Sequence, residues 1–325
     1  MAMKTKVKRS AESEVYLLFN AFDDFLMEKE ARNLSTSTIV SYKESFNKFT
    51  SFFDFNEDTT TEEITKQLFF KWINTMKHEN LSYSSINHYL RDTRAFCYWC
   101  MEETRKYIEP AFKIELVKGQ EEAPKTFTDE EVETLLVKPH PRASFPEWRT
   151  WAIIHWVLGT GARAGTVCNV KIKDIDFKRK EITYAHTKNK KAQVIPLSSS
   201  TETAIKEFIR VWRKEADKES YLFCNIGEEQ LTTNALRQAF TKYCKDRGVE
   251  KSSIHGLRHT FAKLWIKNNG NTFVLQQILG HSTLDMSRKY VKLYREDLKE
   301  DFELFNPLDN LKKKAKRTQT VKRSI

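Results

Sequence analysis

The sequence predicts a mainly α-helical protein with a small antiparallel β-sheet, built as an all-α domain followed by an α+β domain. Three observations support this fold class. Apolar residues recur at helical spacing throughout residues 12–105. The alternation typical of strands is confined to residues 170–197. Between these regions, residues 106–125 carry Pro110 and Pro124 among alternating charges, which is typical of a linker.

These boundaries divide the 325 residues into five segments, enough for two domains with cores of their own. The segments are a basic N-terminal stretch (1–11), an all-α domain (12–105), a linker (106–125), an α+β domain (126–305) and a basic C-terminal tail (306–325).

Four amphipathic helices account for the first domain. The first carries an apolar stripe from Val15 to Leu26, and the second follows candidate caps at Ser35–Thr38. A capping box at Thr60–Glu63 predicts the start of the third helix, and the fourth opens near Ser84.

The polar faces of two of these helices carry side chains that suit DNA. Hydroxyl, amide and guanidinium groups near helix N-termini can contact phosphates, although ordinary solvated faces carry the same groups. The candidate DNA contacts are Ser35, Thr36, Tyr42, Ser84, Asn87, Arg91 and Arg94.

The second domain begins at another capping box, Thr128–Glu131, followed by a buried helix over Trp148–Leu158 that ends at Gly159–Gly161. Strand patterns come next, at residues 171–177, 181–184 and 193–197, and the last two flank a polar tip. Lysines at this tip suit either a DNA groove or a solvated turn; they are Lys188, Lys190 and Lys191. Further helices are predicted at 201–213, after Thr232 or Thr233, at 255–262 and at 272–279, and a last one carries Leu293, Leu298, Phe302 and Phe305 up to Pro307.

The composition favours a polyanionic partner. Lys and Arg total 55 against 44 Asp and Glu, a formal net charge of +11, and basic surfaces gain from counterion release on nucleic acid. A basic solvated surface would show the same excess. Five scattered cysteines indicate a reducing compartment. No apolar run approaches the ~18 residues of a membrane span, and the N-terminus lacks a signal-peptide core, so a cytoplasmic protein is expected.

A group of residues toward the C-terminus carries the chemistry. On a helix, His255 and Arg258 share one face, where an imidazole beside a cation suits a phosphate oxygen. A second imidazole, His281, follows, and Tyr290 comes nine positions later. These groups together suit nucleophilic attack on a phosphodiester.

This pattern resembles the tyrosine recombinase (phage integrase) family. That family carries His-x-x-Arg, then Leu-Gly-His (here Leu279–His281), and a nucleophilic tyrosine at the same spacing. It also has Thr-Gly-x-Arg, matched by Arg163, and a hairpin lysine eight residues before a proline, matched by Lys188. The segment Leu34–Tyr42 is similar to the SAM-like domain that precedes the family's catalytic domain. Thr166 replaces the family's usual acid, a difference that concerns supporting geometry rather than reaction class.

The resemblance implies a site-specific DNA recombinase with six catalytic residues: Arg163, Lys188, His255, Arg258, His281 and Tyr290. Tyr290 would form a 3′-phosphotyrosyl link, while the two arginines and His281 hold the phosphate. Lys188 would protonate the leaving 5′ oxygen, and His255 would help to remove the tyrosine proton. His259 is interpreted as a packed structural imidazole.

The resemblance also implies partners. A homotetramer would join two double-stranded DNA recombination sites and exchange strands through a Holliday junction, with an optional directionality factor. No metal or other cofactor is expected, because the phosphotyrosyl link conserves the energy of the broken bond. The few residues before the first helix favour a recombinase without the arm-binding domain of lambda-type integrases.

Three alternatives share parts of this pattern. A type IB topoisomerase uses the same nucleophile but relaxes DNA without exchanging partner strands, and the separate helical domain favours the recombinase. The chain length disfavours a telomere resolvase. The six matching residues disfavour a non-catalytic DNA-binding protein of the same fold. Both a mobile-element integrase and a chromosome-dimer resolvase agree with the sequence.

Overall fold

The computed structural model describes residues 16–119, 124–184, 192–280 and 290, and the chain divides into two compact units between Glu121 and Glu122. Eleven α-helices and one three-stranded antiparallel sheet lie within the described ranges, which confirms the predicted fold class. None of the helices in these ranges is long and apolar enough to cross a membrane.

The first unit contains α1 (Leu18–Ala31), α2 (Thr36–Phe52), α3 (Lys66–His78) and α4 (Tyr83–Cys100). Serine side chains cap two of these helices. The backbone N–H of Thr38 donates to Ser35 Oγ at 3.3 Å, and that of Ser85 donates to Ser82 Oγ at 3.1 Å. Each cap satisfies one of the backbone donors that a helix N-terminus leaves unpaired.

Aromatic side chains fill the core of the first unit. Phe22 and Phe46 stack with ring centroids 3.7 Å apart, and Phe96 meets Phe22 edge-on at 5.3 Å. Phe25 contacts Phe96 at 5.6 Å and Trp99 at 5.8 Å. Aromatic pairs of this kind contribute about 0.5–1.5 kcal/mol each beyond the burial of their area. The apolar stripes predicted for α1, α2 and α4 therefore meet in one core.

The predicted capping box at Thr60 is present, but it begins a shorter element than expected. The backbone N–H of Thr60 donates to Glu63 Oε1 at 2.8 Å, and the box opens a 3₁₀ turn over Thr61–Glu63. Ile64 then adopts an extended backbone and buries its side chain to 2% exposure. Because this residue leaves the helical conformation, α3 starts afresh at Lys66.

Residues 106–119, within the segment for which a linker is predicted, pack on the first unit. Ile108 and Ile114 are each 2% exposed and belong to its aromatic core. The amide of Asn87 holds the segment from both sides, since Nδ2 donates to Val117 O at 2.9 Å and Val117 N donates to Oδ1 at 2.8 Å. Residues 120–123 lie outside the described residues.

The second unit is built around a buried helix. Its helices are α5 (Asp129–Leu136), α6 (Phe145–Thr160), α7 (Ala164–Asn169), α8 (Ser199–Trp212), α9 (Thr233–Asp246), α10 (Ile254–Lys267) and α11 (Thr272–Leu279). Trp148, Ile153 and Trp156 of α6 are each at most 2% exposed, and α6 packs against α5, α8, α9 and α10. The predicted capping box of α5 is confirmed, because Glu131 N donates to Thr128 Oγ1 at 3.2 Å.

A small antiparallel sheet covers part of this core. Its strands are β1 (Ile175–Asp176), β2 (Glu181–Tyr184) and β3 (Gln193–Pro196), paired in the order β1-β2-β3. Ile182 lies in register with Ile175 on one side and Ile195 on the other. The strand predicted over 171–177 is wrong for most of its length. Lys171 N donates to Asp174 Oδ2 at 2.8 Å, which closes a 3₁₀ turn before β1 begins.

Some residues predicted from the sequence cannot be placed in this fold. The hairpin tip between β2 and β3, with Lys188, Lys190 and Lys191, belongs to residues 185–191, outside the described residues. His281 and the other residues up to 289 also lie outside them, whereas Tyr290 is described.

A small apolar cluster joins the last two described helices. It contains Phe261 and Ile266 from α10, Leu275 and Leu279 from α11, and the buried ring of Tyr290. This cluster brings Tyr290 to the helix that carries His255 and Arg258.

Candidate active site

The turn between α6 and α7 places Arg163. Helix α6 ends at Gly161, whose φ of +63° suits glycine. A Cβ there would lie 2.6 Å from the side chain of Leu279 and 2.7 Å from that of Phe261, so the turn also needs glycine for space. Arg163 comes two residues later, directly before α7, and is half-buried. Its Nη2 donates to Gly280 O at 3.1 Å. The short glycine turn therefore fixes where the guanidinium can reach.

Arg258 is buried in α10 and is only 3% exposed. Its Nη1 donates to Gly161 O at 2.6 Å and its Nη2 to Leu279 O at 2.8 Å. Burial, together with the nearby charge of Arg163, lowers the pKa of Arg258 to about 10. The side chain therefore stays charged at neutral pH, with two of its five N–H donors used to orient it.

Side chains satisfy four successive carbonyl groups at the C-terminal end of α11. Gln193 Nε2 donates to Gln277 O at 2.5 Å and to Ile278 O at 2.9 Å. Arg258 and Arg163 donate to the next two carbonyls, those of Leu279 and Gly280. A helix C-terminus leaves such carbonyls unpaired and carries partial negative charge. Both predicted catalytic arginines are therefore hydrogen-bonded to the same place, the C-terminal end of α11.

Gln193 was not among the residues predicted for the site. It lies on β3 and is half-buried, and its side chain ties the strand that follows the lysine tip to the end of α11. Nothing in the sequence around it indicates this role, because its two acceptors are 84 and 85 residues away.

His255 lies in the first turn of α10, two residues after the capping Ser253, and is exposed. Partial desolvation and the charges of Arg258 and Arg163 lower its pKa. Its ring meets that of His259 at right angles, with centroids 4.4 Å apart. The exposed imidazole of His255 therefore lies close enough to the two guanidinium groups for their charge to disfavour its protonated form.

His259, one turn further along α10, contacts the predicted nucleophile. Its Nδ1 lies 2.5 Å from the hydroxyl oxygen of Tyr290, and the Tyr290 side chain is 4% exposed. Burial, and then the neighbouring His255 and Arg258, lower the pKa of His259 to about 4. The residue interpreted from sequence as a packed imidazole is thus hydrogen-bonded to the tyrosine hydroxyl.

The structure brings together four of the six predicted catalytic residues: Arg163, His255, Arg258 and Tyr290. The other two, Lys188 and His281, lie outside the described residues. Thr166, which stands where the family has an acid, is half-buried in α7 and makes no side-chain hydrogen bond to another described residue. Within the described ranges, no group of three or more His, Cys, Asp or Glu residues is arranged to hold a metal ion.

The candidate DNA contacts of the first unit fall into two groups. Ser35, Thr36, Ser84 and Arg91 are exposed, and the hydroxyl of Ser35 also caps α2. The others are engaged within the unit: Tyr42 packs on Phe25 at 5.1 Å, Arg94 lies 5.7 Å from the ring of Tyr98, and both polar atoms of Asn87 pair with Val117. The exposed group therefore offers the clearer surface for phosphates.

Comparisons with known proteins match both units. Residues 125–297 match the model of the phage integrase family, and residues 19–104 match the model of its N-terminal SAM-like domain. The tyrosine recombinase XerA of Pyrococcus furiosus is 30% identical over 207 residues, 62% of this chain and 69% of that protein. The tyrosine recombinase XerD of Oceanobacillus iheyensis is 23% identical over 303 residues, 90% of this chain and 99% of that protein.

Solved structures share the fold. The Tn1549 transposon integrase in complex with transposon right end DNA superposes with a TM-score of 0.71 at 19% identity, covering 87% of this chain and 96% of that one. The XerH site-specific recombinase bound to palindromic difH substrate, a post-cleavage complex, gives a TM-score of 0.65 at 22% identity, covering 85% of this chain and 82% of that one.

Proposed function

This chain belongs to the phage integrase family and is a site-specific DNA recombinase, and we propose that Tyr290 is the nucleophile with which it cuts DNA. The observation that carries the proposal is the meeting of three groups around α10 and the end of α11. Arg258 and Arg163 donate to adjacent carbonyls there. The hydroxyl of Tyr290 is hydrogen-bonded to His259, the residue that follows Arg258. A relaxing topoisomerase and a non-catalytic DNA-binding protein are not favoured, because the relatives are tyrosine recombinases.

The proposed cleavage is a transesterification. The hydroxyl oxygen of Tyr290 attacks the scissile phosphorus, the bond to the 5′ oxygen breaks, and a 3′-phosphotyrosyl link forms. Arg163 and Arg258 stabilise the non-bridging oxygens as negative charge grows on them. Their carbonyl contacts hold both guanidiniums in place before DNA arrives, so little reorganisation is needed during the reaction.

Three further residues complete the proposed chemistry. Lys188 protonates the leaving 5′ oxygen, and His281 hydrogen-bonds the phosphate; both roles come from spacing and resemblance. His255 stands exposed beside the two arginines, where the resemblance gives it a part in removing the proton of Tyr290. A free phenol has a pKa of about 10 and needs such help at neutral pH. A second 5′ hydroxyl then reverses the step and joins a new strand.

The proposed substrate is a pair of double-stranded DNA recombination sites held by four copies of this chain. The formal net charge of +11 supports a polyanionic partner. The exposed Ser35, Thr36, Ser84 and Arg91, together with Asn87, Arg94, Tyr42, Lys190 and Lys191, are the proposed contacts. Strand exchange passes through a Holliday junction. The proposed setting is the cytoplasm, and the proposed DNA belongs to a mobile element. A directionality factor takes part where the direction of recombination is controlled.

Tyr290→Phe tests the nucleophile. We expect wild-type affinity for DNA and no covalent adduct on a nicked suicide substrate, because the ring still fills its apolar cluster but the attacking oxygen is gone. The measurement is a denaturing gel of protein trapped on labelled DNA. Tyr294→Phe is the matched control and should trap DNA like the wild type. An adduct that persists in Tyr290→Phe and disappears in Tyr294→Phe would move the nucleophile to Tyr294.

A further inference from the structure

Two imidazoles lie side by side on α10, and His259 is the one shown in contact with the hydroxyl of Tyr290. His259 Nδ1 lies 2.5 Å from the hydroxyl oxygen, whereas His255 stacks edge-on against the ring of His259. The two histidines are four residues apart and therefore lie on one face of the helix. Their exposure differs, since His255 is exposed and His259 is half-buried against Tyr290.

We infer that His259 is a catalytic residue that takes the phenolic proton of Tyr290 during cleavage and returns it during rejoining. This inference rests on the proposed role of Tyr290 as nucleophile. In this scheme His255, which is exposed, supports His259 and the phosphate and does not receive the proton directly.

The charge state of His259 suits a proton acceptor. Its burial and its cationic surroundings keep the ring neutral at pH 7. In the tautomer with the proton on Nε2, the lone pair of Nδ1 points at the tyrosine hydroxyl and accepts its hydrogen bond. A ring protonated in advance would have no lone pair to offer.

The arriving phosphate would raise the basicity of this ring at the right moment. The charge of Arg258 contributes to the low pKa of His259, and Arg163 lies beside Arg258. An anionic phosphate bound between the two guanidiniums offsets their charge and so favours the protonated imidazole. At the same time the phenol becomes more acidic as its oxygen bonds to phosphorus. Proton transfer to His259 is therefore coupled to the presence of substrate.

The step balances without a further reactant. The O–H bond of Tyr290 breaks, its proton moves to His259 Nδ1, and its oxygen forms the bond to phosphorus. The bond from phosphorus to the 5′ oxygen breaks, and that oxygen takes a proton from the general acid of the proposed function. In rejoining, the protonated His259 gives its proton back to the departing tyrosine oxygen.

Two substitutions separate proton transfer from simple positioning. His259→Ala removes both the hydrogen bond and the base. His259→Asn places an amide oxygen near the position of Nδ1, where it can accept the hydrogen bond but cannot take the proton. We expect both variants to bind DNA like the wild type and to form the covalent adduct about 10²-fold more slowly or worse in single-turnover assays. Near-wild-type cleavage by His259→Asn would overturn the assignment of a base.

His155→Asn is the matched control. His155 is also a half-buried imidazole of the second unit, in α6, with Nδ1 3.0 Å from Trp151 O and its ring against Trp151. It has no part in the proposed site, so its replacement should leave the cleavage rate within about twofold of wild type.

A more acidic nucleophile gives a second readout that a structural role would not change. Ring-fluorinated tyrosine placed at position 290 needs less help to lose its proton. The defect of His259→Ala should therefore shrink by about tenfold or more with this analogue, while a defect in His255→Ala should not. The opposite result, with the defect of His255→Ala shrinking instead, would assign the base to His255 and overturn the inference.

The outcomes also separate this inference from the proposed function. If Tyr290→Phe still forms the adduct, the nucleophile itself is misassigned. If Tyr290→Phe is inactive but His259→Ala and His259→Asn cleave at the wild-type rate, the nucleophile stands and only the role of His259 fails.

Discussion

The core of the first unit and the candidate active site of the second unit are held by different kinds of contact. The first is a set of aromatic rings that contact one another, such as Phe22, Phe46 and Phe96. The second consists of charged and amide side chains, Arg258 among them, that donate to backbone carbonyls at helix ends. The first set of contacts is apolar, while the second depends on charge and on the direction of each hydrogen bond.

This difference predicts different consequences of substitution. Removing a ring from the first unit should lower the free energy of unfolding and leave the chemistry of the folded molecules intact. Removing a donor from the second site should slow DNA cleavage far more than it destabilises the fold, because the donors there place charge where the phosphate reacts. Three substitutions test this contrast.

Phe46→Ala should have the largest effect on stability. Phe46 is 3% exposed and stacks on Phe22, so its removal leaves a cavity in the core. We expect the free energy of unfolding of the first unit to fall by about 3–5 kcal/mol. Urea unfolding of the full chain, followed by circular dichroism, measures the change. Phe70→Ala is the control, because Phe70 is 55% exposed. Equal effects of the two substitutions would contradict the assigned core.

Arg258→Lys should separate charge from geometry in the active site. Lysine keeps the positive charge but lacks the planar fork that reaches both Gly161 O and Leu279 O. We expect formation of the covalent adduct to slow by about 10²–10³-fold, the usual cost of one transition-state donor. Affinity for DNA should change much less, since many other cations remain.

Arg247→Lys provides the control for Arg258→Lys. Arg247 is also in the second unit, where it pairs with Glu147 at 2.8 Å and lies over the ring of Tyr243. It should cleave DNA at the wild-type rate. If Arg258→Lys cleaved equally well, the fork geometry would be irrelevant and charge alone would explain the site.

The contrast also explains how much could be predicted from the sequence. The first unit was predictable because Phe22, Phe46 and Phe96 follow the helical period, which depends only on neighbouring residues. Local signals also gave the caps at Ser35 and Thr128. They failed at Ile64, where burial of an extended residue overrides the helix signal.

The active site was predictable only where the family resemblance supplied the residues. Arg163 and Arg258 stand in recognisable local motifs. The contact between His259 and Tyr290 joins residues 31 positions apart, so no local pattern predicts it. The spacing of four residues between His255 and His259 indicates only that both lie on one face of α10. Gln193 had no such signal, because its acceptors become its neighbours only when β3 meets α11.

Gln193→Leu should have the smallest effect and tests how the end of α11 is fixed. Leucine keeps most of the side-chain volume but removes the donor to Gln277 O and Ile278 O. The carbonyls of Leu279 and Gly280, which hold the two arginines, come next in the chain. A shift of the helix end would therefore move both guanidiniums away from their positions. We expect cleavage to slow by about tenfold, which corresponds to about 1.4 kcal/mol in the barrier, with unchanged affinity for DNA.

Gln230→Leu is the matched control for that experiment. Gln230 is exposed, and its Nε2 donates to the side chain Oδ1 of Asn169 at 2.8 Å, not to a carbonyl at the end of α11. Single-turnover cleavage should be at the wild-type level in this variant. Unpaired carbonyls are expected to lower the free energy of unfolding of Gln193→Leu by about 1–3 kcal/mol. If the variant showed this loss of stability but cleaved DNA at the wild-type rate, Gln193 would stabilise the fold only. The hydrogen bonds from Arg163 and Arg258 would then be enough to fix the end of α11 without Gln193.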